Sequence, residues 1–251
     1  MTTAENASTQ GLVSGSVRRS FSAAFLGAAL VLAGCATGPN ANPKDPLEPL
    51  NRSVYQFNDA VDRTVLKPVA ETYVDAVPSP VRTGVSNFFG NLRDAWSAVN
   101  ALLQGRPAEA GENMMRFSVN TFLGFGGLLD IASEAGIPRT TLDFGTTLGR
   151  WGVPSGPYLV LPLLGSSSLR DATGLVADNR GDILSQNVDH IPSRNSLYTL
   201  RIVDTRANLL RAGSLLEEAS LDKYSFTRDA YLQRRQYLSG REAPEERFDK
   251  D

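Results

Sequence analysis

The sequence predicts a mostly α-helical protein with one main domain, and three observations lead there. Apolar residues recur at helical spacing over most of the chain, as in Leu47, Leu50, Val54, Phe57, Val61 and Val65, which places them on one helix face. Extended sequence is confined to a short run near Tyr158 to Leu161. The most apolar long segment, Phe117 to Leu169, is also the most heavily broken. Its first half offers about 13 residues before Asp130, where a bilayer core needs about 20, and its second half carries Pro154, Pro157 and Pro162. Such a segment forms either a buried hairpin of a soluble core or a re-entrant hairpin that dips into one leaflet with its irregular backbone turned to protein or water.

Residues 1–34 read as an export signal, because Arg18 and Arg19 precede the apolar run Phe21 to Leu32. Leu32-Ala33-Gly34-Cys35 resembles the bacterial lipobox, whose cysteine is acylated and becomes the mature N-terminus; Arg18-Arg19-Ser20-Phe21 also has some likeness to a twin-arginine signal. Cys35 is the one cysteine of the chain, which excludes disulfides and cysteine metal clusters. Ala36 follows it, and under lipoprotein sorting rules a residue other than Asp there favours the outer membrane. Residues 35–44 then form a polar Pro/Asn/Gly tether.

The domain is assigned to residues 45–240. Asp45-Pro46-Leu47-Glu48 is a helix-start signature, in which Asp caps, Pro fits the first helical position and Glu reaches back. This first helix is expected to end at Pro68, with a short second one from Val69 to Val77. Ser79-Pro80 opens the longest helix, whose stripe Val81, Val85, Phe88, Leu92, Trp96, Val99 and Leu103 stops at Gly105. Another begins near Pro107, carries Met114, Met115, Phe117 and Phe122, and breaks at Gly124, Gly126 and Gly127. One or two helical turns are expected over Leu128 to Ala135 and a short helix over Asp143 to Trp151, then helices over Ser168 to Asp178, Ser193 to Ala212 and Asp222 to Ser239. Residues 241–251 are polar, acidic on balance and predicted to be disordered.

Most catalytic chemistry is refused by composition. The only histidine, His190, lies in a loop before Ile191-Pro192, so it supports no Ser-His-Asp triad and reads as a loop-bonding residue. No Gly-x-Ser-x-Gly elbow, His-Glu-x-x-His zinc site or Walker loop occurs, and no metal or cofactor site is expected. Gly124-Phe125-Gly126-Gly127 lacks the third glycine of a dinucleotide fingerprint and reads as a hinge. Asp59 and Asp62 read as a solvated helix face. A net charge of −2 with dispersed basic residues argues against a nucleic-acid partner.

Several ordered motifs remain: Asp45-Pro46-Leu47-Glu48-Pro49-Leu50-Asn51-Arg52, Tyr55-Gln56-Phe57-Asn58, Lys67-Pro68-Val69-Ala70, Val77-Pro78-Ser79-Pro80-Val81-Arg82 and Ser86-Asn87-Phe88. They continue through Asn120-Thr121-Phe122-Leu123-Gly124-Phe125-Gly126-Gly127, Asp143-Phe144-Gly145-Thr146-Thr147-Leu148-Gly149, Gly156-Pro157-Tyr158, Leu161-Pro162 and Leu169-Arg170-Asp171. Taken together, from Asp45 to Gln236, they resemble the MlaA (VacJ) family of outer-membrane lipoproteins. The resemblance implies a single helical disc or ring-like domain in the periplasmic leaflet of the outer membrane, anchored by a covalent lipid on Cys35 and bound to a porin trimer. It further implies a central hydrophilic channel that removes phospholipids from the outer leaflet and passes them to a soluble periplasmic lipid carrier, with no bond made or broken. A structural lipoprotein that only stabilises porins is the competing reading.

By the same resemblance, Gln56, Phe57 and Asn58 are candidate channel residues, although Gln56 stands where the family motif has Asn. The hairpin from about Val119 to Gly145 maps to the family's mobile hairpin, with Gly124, Gly126 and Gly127 as its candidate hinge. Asn58, Asp59, Asn87, Asn91 and Asn120 are further polar groups on apolar helices that either line such a channel or face solvent. Trp96, Trp151 and Tyr158 are expected near membrane interfaces.

Overall fold

The computed structural model describes Asn42 and residues 45–240. The export signal, Cys35, the tether other than Asn42 and the 241–251 tail lie outside the described residues. The chain divides into two compact units between Asn51 and Arg52. In the first, Asp45 N–H donates to Asn42 O at 2.9 Å, Asp45 O accepts from Glu48 N at 3.2 Å, and Asn51 Nδ2 donates to Asp45 Oδ1 at 2.8 Å. Asp45 thereby starts α1 (Glu48–Val61) from one turn ahead.

The second unit continues α1 through a π turn, Asp62–Leu66, into α2 (Lys67–Ala76). The sequence reading broke the helix at Pro68, and the structure corrects it. Lys67 N–H reaches back to Asp62 O, and the widened turn accommodates a proline ring that would press on the carbonyl one α-turn earlier. The true break is Val77, held extended (φ −103°, ψ 123°) because Pro78 follows it. Then α3 (Ser79–Leu103) and α4 (Pro107–Phe122) fold back on each other, with Ala101 packed on Ala110 and Asp94 paired with Arg116.

Asp130 caps the single-turn α5 (Ile131–Glu134), and a reciprocal Asp143–Thr146 capping box opens α6 (Phe144–Arg150). Strand β1 (Tyr158–Leu161) pairs antiparallel with β2 (Gly165–Ser168), setting Tyr158 opposite Ser168 and Leu161 opposite Gly165. The serine-rich β2 has no apolar alternation, so the sequence reading missed it. Five helices follow β2 without further strands among the described residues, the first four being α7 (Leu169–Gly181), α8 (Ile183–Asn187), α9 (Ile191–Asn208) and α10 (Leu210–Ala219). The last, α11 (Lys223–Leu238), is capped by Asp222. Residues 193–212, expected as one helix, are thus divided at Leu209 (φ −96°, ψ 0°), and α10 was not foreseen. His190 caps α9, with its ring nitrogen taking the Ser193 N–H.

What is unusual is which residues face inward. Asn91, Asp94, Asn100, Asn113, Arg116 and Asn120 are buried along α3 and α4, whereas Phe57, Leu102, Met115 and Phe122 are exposed, the last at 84%. Apolar side chains in water normally reverse that order. No helix among the described residues is long and apolar enough to cross a membrane. The stripe Leu50, Phe57 and Val65, predicted as a packing face, points outward instead. Apolar burial concentrates around Tyr158, Val160 and Tyr224, flanked by Tyr55 and Tyr231. Tyr158 is completely buried and shares a 2.8 Å hydrogen bond with Ser166, so it belongs to this core and not to an interface as expected.

Beside this cluster, α6 and α7 approach so closely that a Cβ on Gly174 would stand 2.8 Å from the Gly145 nitrogen. That approach lets Asp171 collect Arg235 Nε (2.8 Å), Arg170 Nε (2.9 Å) and Tyr231 OH, while Arg235 also grips Asp143. Burial by itself would raise the Asp171 carboxyl, but the hydrogen bonds and charge of Arg235, then Tyr231 and Arg170, outweigh it and hold the group at about 2. The folded value lies below the unfolded one near 4, so the ionised network stabilises the fold above about pH 4 and is lost as the pH falls towards about 2. Acidification through that window is expected to remove roughly 2 kcal/mol through Asp171, and Asp171→Asn is expected to flatten the acid slope by that share while Asp130, also held at about 2, keeps its own, with unfolding followed by circular dichroism.

Candidate functional site

Two features of the second unit combine to make a site, the first being a buried ionic clamp. Arg116 is 1% exposed. Its Nε donates to Asp94 at 3.3 Å, its Nη2 donates to both Asp130 oxygens at 2.7 and 2.9 Å, and its Nη1 donates to Ile137 O. Arg139 adds a 2.9 Å bond to Asp94 from the returning segment, and Asn120 ties Asp130 Oδ1 at 2.9 Å and the Ala132 N–H at 2.9 Å. Burial raises the Asp94 carboxyl despite these two arginines. The bend between α4 and α5 is thus fastened from within, and residues 137–143 are laid along α3.

The candidate hinge glycines lie in this bend. A Cβ on Gly124 would meet Leu129 O at 2.3 Å, and one on Gly127 (φ +94°) would meet the Asn91 side chain at 2.7 Å. Gly126 (φ +73°) faces open space. Gly126 N–H bonds Thr121 O and Gly127 N–H bonds Asn120 O, so the turn is closely hydrogen-bonded. Phe125 adopts φ +54° between these glycines with 77% of its surface exposed. Asn91 and Asn120, read as channel-lining or solvent-facing, are instead buried between α3 and α4, and Asn87 bonds Leu128 O.

The second feature is a cavity of about 620 Å³ that the returning segment helps to close. Phe89, Leu92 and Trp96 of α3 and Leu175 of α7 give it an apolar wall; Asp178, Asp182 and Arg201 give it a polar one. Trp96 Nε1 and the Phe144 N–H both donate to Asp178 Oδ1 at 2.8 Å, which places Trp96 in the cavity wall and not at an interface. Burial still raises the Asp178 carboxyl. Arg201 pairs with Asp182 at 2.9 Å and lies over the Tyr198 ring. A smaller recess of about 370 Å³ shares Arg93, Leu164 and Arg201 with the first, so these three residues stand where the two join.

Gln56, Phe57 and Asn58 are not in the lining of either space. Phe57 points outward, exposed by half. Asn58 acts one step away: its Nδ2 donates to Leu161 O at 2.9 Å and its Oδ1 accepts from Leu163 N at 2.8 Å. These bonds hold Leu163 at φ +63° and set the β1–β2 turn that brings Leu164 to the cavity. Sequence reasoning missed Arg93 and Arg201, whose charge looked like ordinary helix-surface decoration. Asp59 pairs with Arg63 at 2.7 Å and Asp62 with Arg206 at 2.6 Å, as a charged face would. Trp151 is exposed by half and donates to Leu103 O at 2.8 Å.

A helical chain that turns amides and charges inward beside an amphipathic cavity, and large apolar side chains outward, defines a protein of the membrane boundary. The family model described as MlaA lipoprotein matches residues 43–238. The chain is 42% identical over 224 residues to the intermembrane phospholipid transport system lipoprotein MlaA of Escherichia coli (strain K12), covering 87% of this chain and 88% of that protein. It is 35% identical over 216 residues to the protein of the same description from Haemophilus influenzae, covering 83% and 86%. A solved chain described by the words "Structural basis for maintenance of bacterial outer membrane lipid asymmetry" superposes with a TM-score of 0.68 at 40% identity, over 78% of this chain and 98% of that one. The chain belongs to the MlaA lipoprotein family.

Proposed function

We propose that this protein is the outer-membrane lipoprotein of an intermembrane phospholipid transport system. It removes mislocalised phospholipids from the outer leaflet and passes them to a soluble periplasmic carrier, which keeps the outer membrane asymmetric. The observation that carries this reading is the cavity with one apolar and one polar wall inside a chain whose large apolar residues face outward, because a diacyl phospholipid needs both kinds of wall. Descriptions of the Escherichia coli and Haemophilus influenzae relatives as phospholipid transport lipoproteins support it.

In this reading residues 1–34 are removed and acylated Cys35, at the end of the 35–44 tether, anchors the domain as a disc or ring in the periplasmic leaflet beside a porin trimer. The lipid moves by binding and release, so no enzyme chemistry and no cofactor is required. Gly126, with open space around it, is the pivot on which the Val119–Gly145 hairpin moves, and Thr141, Leu142 and Asp143 at its end carry that motion to the cavity wall. Deleting the gene is expected to raise the surface-accessible phospholipid of whole cells several-fold, and wild-type protein restores it. Unchanged outer-leaflet phospholipid together with reduced porin-trimer stability would instead establish the purely structural role.

A further inference from the structure

The smaller recess has an unusual charge balance. Its lining holds Arg93, Arg201 and Arg206 among Leu163, Leu164, Ile202 and Leu209, and contains no acidic residue. Arg206 is committed to Asp62 through bonds of 2.6 and 2.8 Å. Arg201 spends one edge on Asp182. Arg93 has no hydrogen-bond or ion-pair partner among the described residues, since neighbouring Asp94 turns away to Arg116 and Arg139. Its side chain lines both spaces and is open to solvent. Burial, and then the like charge of Arg201, disfavour its protonated form and lower its pKa.

An unpaired guanidinium beside a second one, under apolar walls, calls for an anion that brings its own apolar body. Water and small ions meet the charge but leave Ile202, Leu209 and the Leu163-Leu164 tip uncovered, all of which are exposed. We propose that the recess binds the phosphodiester of a phospholipid between Arg93 and Arg201, with the acyl chains against Leu163, Leu164, Ile202 and Leu209. This rests on the lipid-transport reading and assigns its headgroup site. Arg93 and Arg201 also line the larger cavity, so a phosphate held there marks the passage from one space to the other.

The test uses the full lipidated protein in a phosphate-free detergent, incubated with dioleoylphosphatidylglycerol, with dioleoylglycerol (the same chains without phosphate) or with inorganic phosphate, and read by native mass spectrometry. Wild type is expected to retain the phosphatidyl lipid in preference to dioleoylglycerol. Arg93→Gln is expected to weaken that retention about tenfold while leaving dioleoylglycerol retention and melting temperature unchanged, and Arg93→Lys to restore part of it. Equal retention of the phosphatidyl lipid by wild type and Arg93→Gln would overturn the site and leave the transport reading standing. Inorganic phosphate bound at low concentration with no preference for the lipid would reduce the recess to a small-anion site and overturn it as well. Wild type that retains no phospholipid at all would overturn the transport reading and the headgroup site together.

Discussion

Arg116→Ala is expected to lose about 3–5 kcal/mol of folding stability, enough to remove most of the folded protein. The residue is fully enclosed and holds Asp94, Asp130 and Ile137 O at once. Removing it leaves Asp130 with only Ser133, Asn120 and a more distant Arg139 contact at 3.7 Å, and leaves Asp94 to Arg139 alone. The loss comes from stranding charge in the interior and not from the value of a single bond. The double variant Arg116→Met with Asp130→Asn is therefore expected to be clearly more stable than Arg116→Met. Urea unfolding in detergent, followed by tryptophan fluorescence, measures both.

Gly127→Ala is expected to destabilise by roughly 2–4 kcal/mol, combining a left-handed backbone with overpacking against Asn91. Asn91 is buried and its Nδ2 bonds Thr121 at 2.9 Å, so it has little room to yield. Gly126→Ala carries backbone strain alone and is expected to lose only about 1 kcal/mol. Abundance of the two single variants separates the roles of neighbouring glycines. A Gly127→Ala protein as stable as wild type would show that the bend opens to accept a methyl group, which would extend the pivot from Gly126 to Gly127.

The helices were legible because capping residues and prolines act locally: Asp143, Ser168 and Asp222 each accept an N–H from the first turn of the helix they precede, as residues of those types do elsewhere. Facing was not legible. The stripe through Leu50, Phe57 and Val65 has the period of a buried helix face, and period alone does not say whether the apolar side meets protein or lipid. Asn91, Asn113 and Asn120 misled for the converse reason, since amides at helical spacing read as a wetted surface until a partner helix is known to cover them. The site was hidden by distance along the chain. Arg93 and Arg201 belong to helices separated by the whole hairpin region, and nothing local marks one as unpaired.

An interior made of amides, carboxylates and guanidinium groups has a calorimetric consequence. Apolar surface exposed on unfolding raises the heat capacity by about 0.45 cal/K/mol/Å², whereas polar surface lowers it by about 0.26. In this protein the enclosed Asn91, Asn113, Asn120, Asp94 and Arg116 contribute the negative part, while Phe57, Met115 and Phe122 are already outside and contribute little new. The increment therefore falls below the usual ~12–15 cal/mol/K per residue, and the curve of stability against temperature flattens. A bacterium that warms or cools would find this protein's folding free energy changing less than that of a water-soluble domain of the same length.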